Sequence, residues 1–357
     1  MSFSVNTQNY FDKASFEAEL NKIISRNWVF VCPSYMIKEP GDYFVFNFNN
    51  LEIVIRRRRD LGVHAFNNYC KHRGHKLFSD VMGNGQVVCP YHAWTYADDN
   101  SLRSIPFNNK CYHLDSSAIK LDSPYQLAEK FGGLWLYFGN DFPADILEDK
   151  DSVSSMLTRF NSMSGSAHGF VKKRAQFHWR LIFENLYDSV HPTFLHANSL
   201  NNVVDLEFDS YPNDFSVGNS DHIKANVAQT GVQKVLDPLF NQDGLSSDLP
   251  QGAYINGHIY PFLHFFSPDG GRVFCFESYV PVSATETDVY VFWSANKVIP
   301  KGVATSIITQ YVYGSSIVLK EDWDAVESIT ASRTNGVELT YGAHEVNAIR
   351  LINEGEL

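Results

Sequence analysis

Two short stretches of this chain concentrate side chains that bind metals. The first is Cys70-Lys71-His72, followed after the sixteen residues 73–88 by Cys89-Pro90-Tyr91-His92. Each half offers one thiolate and one imidazole. This spacing lets each loop give its Cys to one iron and its His to a neighbouring iron. That is the donor division of a [2Fe–2S] centre with a cysteine pair on one iron and a histidine pair on the other. Thiolates suit iron–sulfur clusters and imidazole suits iron. A tetrahedral zinc site with two Cys and two His uses the same donors, but zinc fingers usually pair Cys with Cys and His with His. Here the order is Cys-His, Cys-His, and Cys-Pro-Tyr-His-Ala-Trp reads as strand and turn.

The second stretch runs from Glu184 to His196, ENLYDSVHPTFLH. Asp188 and His191 are three apart, so a helix sets them on one face. His191 and His196 are five apart, which splays them by about 140° on an ideal helix. Pro192 disturbs the backbone between them, and a kink or wide turn there would bring His196 back toward His191. Two histidines and one carboxylate on one side of a metal form the facial triad of non-haem Fe(II) oxygenases. Two ordinary histidines near a helix end are the competing reading of this stretch alone. The upstream Cys/His pairs on the same chain favour the metal site.

The elements that must position these residues differ along the chain. Residues 15–26 have helical period, with Phe16, Leu20, Ile23 and Ile24 on one face. From Trp28 to about Phe138, short apolar or alternating runs (YFVFNF, LEIVIR, GVHAF, VVCPYHAW, GGLWLYFG) are separated by Gly, Asn, Asp and Pro, which predicts a small antiparallel β-domain. Polar, acidic residues after 140 predict a linker. A helix is expected around 179–191, strands at 259–266, 272–281 and 288–294, and a last helix from near Glu321. The domain boundaries expected are 1–27 for an N-terminal helix packing on the catalytic domain, 28–145 for the cluster domain, 146–165 for the linker and 166–357 for the catalytic domain.

Composition allows a large core: of 357 residues, 44% are hydrophobic and 19% charged. The formal net charge of −11 removes the electrostatic term that drives nucleic-acid binding. Arg56–Arg59 is the one basic cluster and reads as a solvated edge, or less simply as a docking site for an acidic electron donor. Five cysteines, an odd number, argue against a disulfide framework. The N-terminus lacks the basic-then-apolar pattern of a signal peptide, and no apolar run approaches the ~20 residues that span a bilayer. A cytoplasmic protein without membrane or nucleic-acid partners is the expectation.

At Cys70-Lys71-His72-Arg73-Gly74-His75 and Cys89-Pro90-Tyr91-His92-Ala93-Trp94-Thr95-Tyr96 the chain resembles the Rieske domain of ring-hydroxylating oxygenases, and at residues 184–196 their catalytic domain. The resemblance extends from about residue 10 to about 335. It implies an α+β chain: an all-β Rieske domain followed by an antiparallel-sheet-and-helix catalytic domain of helix-grip type. It implies one [2Fe–2S] cluster on Cys70, His72, Cys89 and His92, and one mononuclear Fe(II) on His191, His196 and a carboxylate. Within Leu319–Ser328 the family pattern selects Asp322 as that carboxylate, with Asp324 as runner-up. Asp188 is then no ligand but links His191 to a cluster histidine of a neighbouring subunit, which would be His92. Asn185 would point toward the open side of the iron. His75 has no ligand role, and His178-Trp179-Arg180 replaces a common Asn-Trp-Lys for a structural reason.

The resemblance further implies a terminal oxygenase of mono- or dioxygenase type, using O2 and electrons from a separate ferredoxin or flavin reductase. NAD(P)H would act only through that reductase, and no Gly-rich nucleotide loop follows a strand here. A homotrimer is implied, with or without a β subunit. Phe183, Tyr311, Tyr313 and Ile317 are the expected pocket lining. The substrate expected is small and aromatic, the alternative being oxidation or demethylation of a methylated or quaternary amine. An electron carrier without a catalytic iron is the rival from another class.

Overall fold

In the computed structural model, the residues described are 3–6, 8–140, 157–158, 160–188, 190–199, 223–226, 253–267, 271–329 and 338–341. Most of the expected linker, 146–156 and 159, lies outside them. The chain divides into two units, Ile24–Pro143, and Met1–Ile23 together with Ala144–Leu357.

The Ile24–Pro143 unit is built of antiparallel strands. Strands β3 (Asp42–Phe48) and β4 (Leu51–Arg57) form a hairpin closed by Asn49-Asn50. Both asparagines have positive φ, 46° and 61°, as a two-residue turn matching strand twist requires. With β5 (Val63–Asn67) and β6 (Met82–Asn84) they make a four-stranded sheet in the order β5-β4-β3-β6. A second sheet orders β2 (Val29–Pro33), β10 (Gly133–Tyr137) and β9 (Gln126–Lys130), and β7 (Thr95–Tyr96) pairs with β8 (Leu102–Ser104). The expected run VVCPYHAW is mainly loop, anchored by the single bridge Val88↔Thr95. Its apolar residues Val87, Cys89 and Trp94 are buried with Val54, Phe66 and Cys70, so they carry the loop on the core without extending a strand.

The solvated-edge reading of the arginine run is overturned for its first two members. Arg56 and Arg57 are each only 6% exposed. Arg56 pairs with Asp98 at 2.8 Å, and Arg57 forms a two-pronged pair with Glu129 at 2.6 and 2.8 Å. The planar guanidinium satisfies carboxylate and carbonyl acceptors together, which makes its burial tolerable.

The other unit centres on a six-stranded antiparallel sheet. Its order is β11 (Ser164–Ala175), β16 (Glu286–Asn296), β15 (Val273–Ser283), β14 (Leu263–Ser267), β13 (Ala253–Ile259) and β12 (Ile223–Asn226). β15 and β16 are buried almost throughout, because the sheet is covered on both faces. Phe160 packs on one face, 4.5 Å from Phe274 and 6.0 Å from Phe265 between ring centroids. Helix α5 (Lys301–Glu327) packs on the other face. Gly169 permits its approach: a Cβ there would lie 3.0 Å from Ile308 and 3.4 Å from Val312.

Helix α5 starts well before the expected point near Glu321. Its middle is rich in β-branched, Ser and Thr residues, which weaken intrinsic helix propensity. Tertiary packing prevails, and the hydroxyls of Thr305, Thr309 and Ser315 bond back to carbonyls four residues earlier at 2.9, 2.9 and 2.6 Å. The expected helix around 179–191 is likewise two helices, α3 (Trp179–Tyr187) and α4 (His191–Leu195). Asp188 ends α3 in extended conformation. Pro192 falls in the first turn of α4, where a missing N–H costs nothing, so it starts a helix instead of kinking one.

Near the N-terminus, α2 (Lys13–Ile24), which follows the short α1 (Gln8–Phe11), buries Phe16, Leu20 and Ile23. His178 is fully buried, stacks on Tyr10 at 5.1 Å and caps α3 by accepting from Arg180 N. The His at this departure from the family pattern thus has a packing and capping role. The hydroxyls of Tyr10 and Tyr341 both donate to the buried Glu184 carboxylate. Tyr341 belongs to β17 (Glu338–Tyr341), which pairs with β1 (Phe3–Asn6), so one carboxylate ties an N-terminal and a C-terminal segment to α3. Glu184→Ala is expected to destabilise the protein by about 3 kcal/mol, since it strands two buried hydroxyls. Urea unfolding of the variant measures this, and an unchanged midpoint contradicts it. Among the described residues no helix is long and apolar enough to cross a membrane.

Candidate metal centres

The Ile24–Pro143 unit brings Cys70, His72, Cys89 and His92 together through two loops of matching design. Cys70 N donates to His75 O at 2.8 Å and Gly74 N to Cys70 O at 2.9 Å. Cys89 N donates to Trp94 O and Ala93 N to Cys89 O, both at 2.9 Å. Gly74 and Ala93, four residues after each cysteine, have φ of 69° and 55°. Each loop therefore curls back on its cysteine in the same way. The left-handed position is free for Gly74 and strained for Ala93.

The cysteines are buried, and the two imidazole centroids lie 4.6 Å apart. His72 stacks on Trp94 at 4.7 Å, with planes 6° apart. Tyr96 OH lies 3.2 Å from Cys70 Sγ and accepts from Lys71 N at 2.9 Å. Burial, then the neighbouring His92 and Arg73, hold His72 toward its neutral form. The Nδ1 atoms of both His72 and His92 are buried and lack a hydrogen-bond partner. A buried polar atom without a partner is costly, and two of them beside two thiols are the donor set that a Rieske [2Fe–2S] cluster fills. His75 is exposed and bonds Lys76 O, apart from that set.

The second centre lies in the other unit. Asp322, near the C-terminal end of α5, places Oδ1 3.3 Å from His191 Nε2 and 3.0 Å from His196 Nε2. One donor atom from each of the three lies within 4.8 Å of the others, the arrangement a single cation can bridge. The rings of His191 and His196 are 5.2 Å apart, since α4 spans a single turn and His196 leaves helical geometry at its cap. Burial raises the Asp322 pKa, but hydrogen bonds and charge from the two histidines outweigh it and hold the carboxyl at about 2. His196 is raised in turn: burial opposes its charge, and Asp322 and then Glu321 favour it. The outward nitrogens are held too. His191 Nδ1 is 2.8 Å from Asp188 O, and His196 Nδ1 is 2.8 Å from Glu321 Oε2. Both Nε2 atoms are thereby turned toward Asp322. Two imidazoles and one carboxylate on one side suit a non-haem Fe(II).

Asn185, on α3, donates to Asp322 Oδ1 at 2.9 Å. The Asp188 carboxylate caps α4, accepting from Val190 N at 2.7 Å and His191 N at 3.3 Å, while its other oxygen lies 3.8 Å from His191 Nδ1. Asp324 is exposed and pairs with Lys320. Phe183 is fully buried against His258 and Tyr279, at 4.2 and 5.5 Å. Tyr311 stacks on Trp293 at 5.9 Å. Tyr313 and Ile317 are 72% and 41% exposed, so the structure does not bring them to the enclosed face of α5. Two features escaped the sequence reading. One is Glu321, whose signal was an acid directly beside the candidate ligand Asp322. The other is a buried cluster on the sheet: Glu277 Oε2 accepts from His264 Nδ1 and from Tyr279 OH, both at 2.8 Å. Strand alternation hides such a cluster, since only register puts His264 opposite Glu277.

Paired Cys and His in one unit, and two histidines with one aspartate in the other, give one chain two distinct sets of potential metal donors. Comparison with known proteins identifies its kind. Residues 27–121 match the Rieske [2Fe-2S] domain, and residues 175–343 the vanillate O-demethylase oxygenase C-terminal domain. The chain thus carries a Rieske [2Fe-2S] domain followed by an oxygenase C-terminal domain of the vanillate O-demethylase type. The first match sets aside the zinc alternative for the Cys/His loops. The chain is 29% identical over 197 residues to the large oxygenase component of the naphthalene 1,2-dioxygenase system of Pseudomonas putida, covering 53% of this chain and 43% of the relative. It is 31% identical over 193 residues to the carnitine monooxygenase oxygenase subunit of Acinetobacter baumannii, covering 51% and 49%. The matched segment spans less than half of these relatives' length. The fold is that of the quaternary ammonium Rieske monooxygenase CntA, with TM-score 0.74 at 20% identity over 97% of this chain and 93% of that one. Naphthalene 1,2-dioxygenase superposes with TM-score 0.68 at 22% identity, covering 91% and 79%.

Proposed function

We propose that this chain is a terminal oxygenase, which uses O2 and electrons from a separate ferredoxin or flavin reductase to oxygenate a small organic substrate. The observation that carries this reading is the pairing, on one chain, of the His191–His196–Asp322 triad with a Cys/His loop pair whose imidazole nitrogens lack partners. When bound, the cluster supplies single electrons and the mononuclear iron supplies O2 activation. The chain's own residues do the rest. His191, His196 and Asp322 would hold the iron. Asn185 holds Asp322 Oδ1 by its amide. Phe183, Trp293 and Tyr311 supply aromatic surface. The Asp188 carbonyl holds His191 Nδ1, and the Asp188 carboxylate would accept from His92 of a neighbouring subunit in a head-to-tail ring, a trimer by family resemblance, so that one residue links the two centres across chains.

Aromatic surface near the triad supports an aromatic substrate, as for the naphthalene dioxygenase relatives. One observation favours a methylated or quaternary amine instead. Glu277 is fully buried on the face where Tyr279 meets Phe183 of α3. A buried carboxylate beside aromatic residues is the kind of group that would attract a methylammonium. Relatives include, besides the carnitine enzyme, the glycine betaine monooxygenase oxygenase subunit of Chromohalobacter salexigens, 27% identical over 202 residues.

The test is iron analysis with oxygen uptake. The reading expects about three irons per chain, against about two for an electron carrier. Substrate-dependent O2 uptake with a surrogate reductase should appear with aromatic acids or with methylated amines. Glu277→Gln should raise KM at least tenfold if the substrate is an amine and leave it unchanged if it is an aromatic acid. Two irons and no uptake would discard the oxygenase.

A further inference from the structure

Helix α5 contributes two consecutive acids to one imidazole. Asp322 Oδ1 lies 3.0 Å from His196 Nε2, and Glu321 Oε2 lies 2.8 Å from His196 Nδ1. Consecutive helix residues diverge by about 100°, so the two carboxylates reach the ring from different sides. His196 is 2% exposed, and its ring is fixed at both nitrogens. Ser199, in the turn after α4, donates its hydroxyl to the same Glu321 oxygen at 2.6 Å, which fixes the carboxylate in turn.

The partner of the other imidazole is different in kind. His191 Nδ1 bonds the backbone carbonyl of Asp188, a neutral acceptor. The triad therefore has one carbonyl-backed and one carboxylate-backed histidine. A carboxylate on Nδ1–H holds the tautomer whose Nε2 lone pair is free for a cation, and it makes that nitrogen a stronger donor.

We infer that Glu321 is a positioning residue of the mononuclear metal site: it sets the tautomer and orientation of His196 and strengthens its hold on the metal. The inference rests on the reading of His191, His196 and Asp322 as ligands, and its test separates the two.

Cluster-loaded protein stripped of its mononuclear metal is dialysed to equilibrium against cobalt(II), and bound cobalt is measured by elemental analysis. Wild type should bind one cobalt per chain. Glu321→Ala should bind it about 10- to 100-fold more weakly. Glu321→Gln, which keeps an acceptor for Nδ1–H but not the charge, should fall between the two. Asp324→Ala removes an exposed acid from the same helix end and should bind like wild type. An unchanged midpoint of urea unfolding and an unchanged far-ultraviolet circular dichroism spectrum verify folding in every variant. If Glu321→Ala binds cobalt as wild type does, or if Asp324→Ala weakens binding equally, the positioning role is overturned and the ligand assignment stands. If wild type binds no cobalt, the ligand assignment fails and the role of Glu321 fails with it.

Discussion

Asp188→Ala is expected to leave both iron centres filled and to cut turnover by on the order of 100-fold. The structure shows one job for this carboxylate, and the proposed link to His92 of a neighbouring subunit would be a second that can be separated from it. One oxygen caps α4 through Val190 N and His191 N. The other is not used in the cap, and the side chain is 34% exposed, which leaves it accessible to a partner imidazole. Loss of the cap alone costs about 1 kcal/mol and leaves the fold intact. Asp188→Asn keeps the capping oxygen and removes the charge, so it distinguishes the jobs: as a cap Asn serves, and as the link between centres it does not. The measurement is reoxidation of the pre-reduced cluster by O2 in the presence of substrate, followed with iron content per chain. Slow reoxidation in both variants at full iron content supports the link. Turnover near wild type in iron-replete Asp188→Ala removes Asp188 from the electron path.

His191→Ala should have the second large effect: a fall from about three irons per chain to about two, with the cluster spectrum intact and oxygen uptake abolished. Three donors converge within 4.8 Å, and Asp322 Oδ1 already faces both Nε2 atoms. Removal of one imidazole leaves two donors and a gap, too few to hold a labile divalent ion. The cluster ligands belong to the other unit and have their own hydrogen-bonded loops, so their spectrum reports independently. Collapse of the cluster spectrum in His191→Ala would mean that the two centres have been misassigned.

Much of the site was legible along the chain because metal chemistry restricts residue types. Cys and His at matched short spacings, and two His near a carboxylate, are uncommon unless an ion draws them together. Secondary structure near those residues was less legible. The 184–196 stretch carries one continuous helical pattern, yet the chain breaks at Asp188, whose side chain prefers capping a new helix to continuing the old one. The residues of α5 before Glu321 look poor helix formers, and packing on the sheet through Gly169 decided otherwise. Arg56 and Arg57 looked like surface charge because their acceptors Asp98 and Glu129 are distant in sequence.

The amino-acid sequence alone settled which atoms could bind metal: thiolates and imidazoles are chemically distinctive, and short spacings keep them on one loop or helix. The tertiary structure alone decided what orients them. Glu321 meets His196 across 125 residues of chain, Asn185 meets Asp322 across 137, and Glu277 meets His264 through strand register. Such partners are fixed by packing and hydrogen-bond geometry in three dimensions, which leave no periodic trace in one.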